Sequence, residues 1–168
     1  MAAQCIYTVP EIPSMFIEAI SFSPDGKEIA VCCQHWTGFE NKEFDGYSTF
    51  AIDIGGAGVI RRYLDERNPY YLLAHDLLGR WIAFASHKNR IEICDLRTTD
   101  VVKSLQTDIE ETDAALTFSP DGQWLVVAGL TKTEGKRYKS YLQVFSTDDW
   151  NAEPPFECIG VQMPLISA

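Results

Sequence analysis

Phe22-Ser23-Pro24-Asp25-Gly26 returns without change as Phe118-Ser119-Pro120-Asp121-Gly122. Each copy follows an alternating apolar segment, Ala19-Ile20-Ser21-Phe22 in one case and Ala115-Leu116-Thr117-Phe118 in the other. Each runs into a second one, Ile29-Ala30-Val31 or Trp124-Leu125-Val126-Val127. Pro at the second turn position presets φ for a type I turn. Asp tolerates the next position, and Gly takes the left-handed conformation that returns the chain to the ladder. The reading is strand, tight turn, strand, twice over. It makes Phe22, Ile29, Val31, Phe118, Leu125 and Val127 core candidates.

A weaker third copy lies between them, His75-Asp76-Leu77-Leu78-Gly79-Arg80-Trp81-Ile82-Ala83-Phe84, with Gly79 in the place of Gly26 and Gly122. It adds Ile82 and Phe84 to the expected core. The intervals are 53 residues from Gly26 to Gly79 and 43 from Gly79 to Gly122. Such a period suits a four-stranded propeller blade. Third and fourth strands follow each hairpin: Ser48 to Ile54 then Val59 to Leu64, Arg90 to Leu96 then Val101 to Leu105, Tyr141 to Phe145 then Phe156 to Val161. Polar inserts at Trp36 to Gly46 and Thr131 to Lys139 read as surface loops. No amphipathic helix of ten residues is legible, and β-branched and aromatic residues with Gly or Pro punctuation dominate. The predicted fold is all-β, a partial β-propeller of about three four-stranded antiparallel blades. Residues 1–16 form an N-terminal strand and linker, 17–66 blade 1, 67–108 blade 2, and 109–168 blade 3 with a C-terminal tail.

These residues resemble the WD-repeat β-propeller family over positions 17 to 162. In that family a strand ending in Phe-Ser-Pro-Asp-Gly turns into an apolar strand, and a later strand closes near a Trp-Asp dipeptide. Here Cys94-Asp95 holds the Trp-Asp place in the middle blade, with Ile52-Asp53 and Phe145-Ser146 in the others. The dipeptide itself and the family's Gly-His pair are absent, so the resemblance implies divergent blades and no His–Asp relay. The same hairpin occurs in TolB-like propellers and in those attached to some serine peptidases. The N-terminus Met1-Ala2-Ala3-Gln4, without the basic then apolar order of a secretory leader, favours the cytosolic WD-repeat reading.

Composition agrees with a folded domain, at 168 residues with 46% hydrophobic and 23% charged. A formal charge of −10 opposes phosphate backbones and anionic lipid, so neither nucleic acid nor membrane is expected as partner. No apolar run approaches the roughly 20 residues of a membrane helix. Five cysteines, at 5, 32, 33, 94 and 158, form no CxxC pair, which fits reduced thiols and a cytoplasmic location.

No constellation for catalysis stands out. His35, His75 and His87 need carboxylates or thiolates beside them to hold a metal, and Cys33 with His35 makes only two ligands on one strand face. Gly-x-Ser-x-Gly is absent. Gly55-Gly56-Ala57-Gly58 lacks the Lys-Ser/Thr ending of a phosphate loop. Thr147-Asp148-Asp149-Trp150 lacks the alternating oxygens of a calcium loop and reads as a solvated turn. No catalytic, cofactor or metal site is therefore expected.

The remaining candidates are aromatic. Trp36 and Phe39 sit in the first insert and Tyr70 and Tyr71 open a strand; exposed aromatics of this kind anchor protein interfaces. The alternative for all four is packing at the edge of a blade core. The resemblance implies a protein-interaction scaffold with no catalysis of its own. A non-catalytic propeller domain or fragment of a larger enzyme, such as a hydrolase, is the competing reading. Rings take about four to eight blades, so the ends of three blades need covering, by self-association or by further blades.

Overall fold

The computed structural model describes residues 15–37, 43–54, 58–64, 70–86, 89–133 and 137–158. Four strands make the first sheet: β1 (Met15–Phe22), β2 (Glu28–Thr37), β3 (Glu43–Asp53) and β4 (Gly58–Leu64). The second holds β5 (Tyr70–His75), β6 (Trp81–Ser86), β7 (Arg90–Asp95) and β8 (Val101–Gln106). The third holds β9 (Glu111–Phe118), β10 (Trp124–Thr133), β11 (Arg137–Ser146) and β12 (Phe156–Cys158). Every sheet is an antiparallel meander in chain order. Among the described residues no helix is long and apolar enough to cross a membrane.

The turns explain the repeat. Gly26, Gly79 and Gly122 lie at φ of 70°, 71° and 68°, a region open to Gly and strained for side chains with a Cβ. The Ser23 hydroxyl donates to Asp25 at 2.7 Å and accepts from the Glu28 amide at 2.9 Å. Ser119 repeats this with Asp121 at 2.5 Å and the Trp124 amide at 3.0 Å. One residue after each glycine, a carbonyl receives the amide that ends the third strand: Ile54 to Lys27, Leu96 to Arg80 and Thr147 to Gln123. Asp95 and Ser146 occupy matching turns after β7 and β11, each accepting from an amide at positive φ, Thr99 or Trp150. Two of the three places read as Trp-Asp substitutes, at Asp95 and Ser146, are thus equivalent in space.

Blades stack face against face. Between the first and second lie Ala30, Cys32, Ala51, Tyr63, Tyr70, Leu73, Ile82, Phe84 and Cys94. Between the second and third lie Ala83, Ala85, Ile91, Ile93, Leu116, Phe118, Leu125, Val127 and Phe145. Burial of the Leu, Ile, Val and Phe side chains among them contributes about 1.5–3 kcal/mol each, which makes these two layers the main source of stability.

Two expectations change. The inserts are largely strand: β2 runs on through Trp36 and Thr37 to face β3 from Glu43, and β10 and β11 pair out to Thr133 and Arg137. Continued pairing satisfies the backbone in these polar stretches, so a ladder outcompetes a loop. Phe22 is not core. It is 60% exposed and Ile29 half-buried, whereas Phe118 in the identical pentapeptide is 6% exposed. Blade 2 covers Phe118, while the face carrying Phe22 is turned away from blade 2. Val31, Ile82, Phe84, Leu125 and Val127 are buried as expected. Residues 1–14 of the expected N-terminal strand and linker, and the last part of Phe156 to Val161, lie outside the described residues.

Candidate functional site

The first turn of each blade comes to one rim of the stack. In the outer blades the tip residues are Pro24-Asp25 and Pro120-Asp121; in the middle blade they are Leu77-Leu78. Leu77 and Leu78 are each 57% exposed. They border a cleft of about 420 Å³ lined also by Ser23, Pro24, Asp25, Glu28, Gly79 and Leu96. Its lining joins apolar Pro24, Leu77, Leu78 and Leu96 to the carboxylates of Asp25 and Glu28. The Ser23 hydroxyl and the Lys27 amide stabilise ionised Asp25, holding its carboxyl below the usual carboxylate range.

The middle turn is fixed from behind. Asp76, fully buried, accepts from Arg80 Nε at 2.7 Å and from the Leu78 amide at 3.3 Å. Arg80 then donates from its terminal nitrogen to the Gly122 carbonyl at 2.7 Å, and Thr147 donates to that same oxygen at 2.6 Å. The leucine pair therefore stands on a turn clamped to its neighbour.

The four aromatic candidates are placed differently. Tyr70 is 3% exposed and its ring meets Phe84 edge-on at 6.1 Å, so its expected partner contact gives way to packing between blades. Tyr71 is half-buried; its hydroxyl shares a 2.8 Å hydrogen bond with that of Tyr47 across the same junction. Burial, then that bond, pushes the Tyr71 phenol well above its ordinary pKa. Both tyrosines thus join blade 1 to blade 2. Trp36 lies within β2, beside a bulge that follows His35. Phe39 lies outside the described residues. The sequence reading passed over Leu77 and Leu78, although the signal was present: Leu-Leu where both other copies carry Pro-Asp.

Three of the four described cysteines, Cys32, Cys33 and Cys94, are turned inward. Burial raises the Cys33 thiol to about 11 and Cys94 to about 12, and lifts Cys32 well above its ordinary value. His75 Nδ1 and Ser21 Oγ share a 3.0 Å hydrogen bond between β5 and β1, which ties adjacent blades. Among the described residues no three His, Cys, Asp or Glu converge as metal ligands. His87 lies outside them. Asp149 in the turn after β11 accepts from the Asn151 amide at 3.0 Å and side chain at 2.6 Å.

Three four-stranded antiparallel blades, stacked in chain order about shared apolar layers, define a β-propeller segment. No family model and no curated protein sequence matches the chain. Solved structures do. Hydrazine synthase of Kuenenia stuttgartiensis aligns at a TM-score of 0.66 and 14% identity, over 95% of this chain and 40% of that one. The Pan2 WD40 domain of Neurospora crassa aligns at 0.57 and 23%, over 84% and 40%. A chain of the mitotic checkpoint complex aligns at 0.64 and 15%, over 86% and 38%. The chain spans about two fifths of the length of these proteins. The chain has the β-propeller fold that it shares with these structures, here in three blades.

Proposed function

We propose that this chain is a WD-repeat-like scaffold that binds a protein partner through the cleft at Leu77 and Leu78, without catalysis of its own. The observation that carries it is the exposed leucine pair on a clamped turn. Turn tips favour Gly, Pro, Asn, Asp and Ser for conformational reasons, and two large apolar residues there serve no internal core. Apolar groups that lose water on contact supply affinity, and the two carboxylates supply orientation. The net charge of −10 favours a protein with a basic, apolar contact over nucleic acid or membrane. Cysteines without a CxxC pair or a disulfide among the described residues suit a reduced, cytoplasmic setting.

A Leu77→Ser, Leu78→Ser double variant tests the site. The wild-type chain should retain a defined protein through stringent washing, and the variant should lose it at an unchanged melting temperature. Equal retention by both overturns the assignment. A second reading, a non-catalytic propeller domain of a larger enzyme, draws on the likeness to hydrazine synthase. It predicts that the retained protein is an enzyme subunit whose activity rises on binding.

A further inference from the structure

The cleft at Leu77 and Leu78 gathers two departures from the repeat, one from each of the blades that form it. Two residues past the turn glycine the second and third blades carry Trp81 and Trp124, and the first carries Glu28. The backbone there is unchanged: the Glu28 amide donates to Ser23 Oγ at 2.9 Å, as the Trp124 amide does to Ser119 Oγ at 3.0 Å. The turn therefore sets no demand on this side chain, and a carboxylate stands where the other blades have an indole. Leu77-Leu78 in place of Pro-Asp is the second departure. Glu28, Leu77 and Leu78 all line the one cleft, together with Asp25.

Asp25 is aimed by its own turn. Its Oδ1 accepts from the Ser23 hydroxyl at 2.7 Å and from the Lys27 amide at 3.1 Å. Its Oδ2 meets Lys27 Nζ only at 3.8 Å, between side chains 58% and 79% exposed. A surface pair of this kind is worth little, so Oδ2 can take a further charged donor. Among the described residues that line the cleft none is basic. Two carboxylates thus border Leu77, Leu78 and Leu96 without a cation in the lining.

We propose, on the scaffold reading of this cleft, that its occupant is a segment of the partner protein in which a lysine or arginine adjoins aliphatic residues. The cation is held at Asp25 and Glu28, and the methylene stem lies along Leu77 and Leu78. A long basic side chain supplies both parts, apolar methylenes and a charged tip. An aliphatic segment without a cation would take water from the two carboxylates and return nothing, and an acidic one would repel them. The third blade holds the internal control. Asp121 repeats the geometry of Asp25, with Oδ1 accepting from Ser119 at 2.5 Å and from the Gln123 amide at 3.1 Å, yet it does not line the cleft.

The experiment selects a random peptide library, displayed on phage, on the 168-residue chain and counter-selects it on the Leu77→Ser, Leu78→Ser variant. Surviving peptides should share a lysine or arginine next to an aliphatic residue. A synthetic survivor should lose about tenfold in affinity on Asp25→Asn, the size of one charge-assisted contact, and nothing on Asp121→Asn, which makes the same change in the equivalent turn. The tenfold difference should shrink in concentrated salt. Survivors without a basic residue, or equal losses on the two Asp variants, overturn the proposal and leave the scaffold reading of the leucine turn in place. A library that yields no peptide dependent on Leu77 and Leu78 overturns the proposal and counts against that reading as well.

Discussion

Arg80 of the second blade donates to the carbonyl oxygen of Gly122 in the third, 2.7 Å away, with its guanidinium steadied by buried Asp76. The contact couples two turns 42 residues apart and holds the leucine pair between them. Replacing Arg80 by Ala takes the charged donor from the fully buried Asp76 carboxylate, leaving it the Leu78 amide, and one of two donors from the Gly122 carbonyl. Hydrogen bonds to charged groups are worth about 1.5–3 kcal/mol each, so urea unfolding should show a loss of about 2–3 kcal/mol. A loss under about 0.5 kcal/mol would mean that the clamp carries nothing.

Gly122 and Gly26 are the same residue of the same pentapeptide, yet they should respond differently to Ala. Both sit at left-handed φ, which costs a residue with a Cβ about 1–2 kcal/mol. A Cβ on Gly26 meets nothing within 4 Å, whereas on Gly122 it meets Arg80 Nη2 at 2.6 Å, Asp76 Oδ1 at 2.8 Å and Leu78 Cδ1 at 2.9 Å. Gly122→Ala should therefore destabilise by at least about 1 kcal/mol more than Gly26→Ala, the cost of overpacking. Equal midpoints in chemical denaturation would contradict the packing of the two turns.

Phe118 and Phe22 make the matching contrast for side chains. Phe118→Ala should cost about 3–5 kcal/mol, because the ring is buried between blades 2 and 3. Phe22→Ala should cost under about 0.5 kcal/mol, as at other surface sites. Similar losses at both would place blade 1 wrongly in the stack.

How far the sequence carried follows from these pairs. The pentapeptide, its spacing and the alternation around it made the hairpins, the strand order and most of the core legible, because each rests on local turn chemistry and a two-residue period. What a given position faces is decided by the neighbouring blade, so one pentapeptide yields a buried Phe118 and an exposed Phe22. The same limit applies to Tyr70, which is buried in the layer that blade 1 completes with Ala30, Cys32, Ala51 and Tyr63. Leu77 and Leu78 were readable only by comparison of the middle turn with its two copies.

The thiols give a pH-dependent test. A raised folded pKa keeps the thiol neutral, so the unfolded chain ionises first as pH climbs past the ordinary value of 9.0. The contribution of Cys33 and Cys94 is complete below that pH and fades as pH rises from about 9 toward 11 and 12, the unfolded state then binding fewer protons. Stability of the native chain should fall over that window, and a Cys33→Ala, Cys94→Ala variant should fall less. At pH 8, iodoacetamide should modify exposed Cys158 quickly and Cys32, Cys33 and Cys94 only after unfolding, as read by peptide mass spectrometry. Equal labelling of all four in the native chain would show the blade layers to be open.

The central claim is that the clamped leucine turn is where a protein partner binds. Its most direct measurement places a photo-crosslinking amino acid at Leu78 and, as control, at Val102 on outer strand β8, where the side chain is also exposed. Irradiation in the source cells should join one defined protein to the position 78 variant, with little or none at position 102. Crosslinking that is equal at the two positions, or absent at 78, would contradict the account.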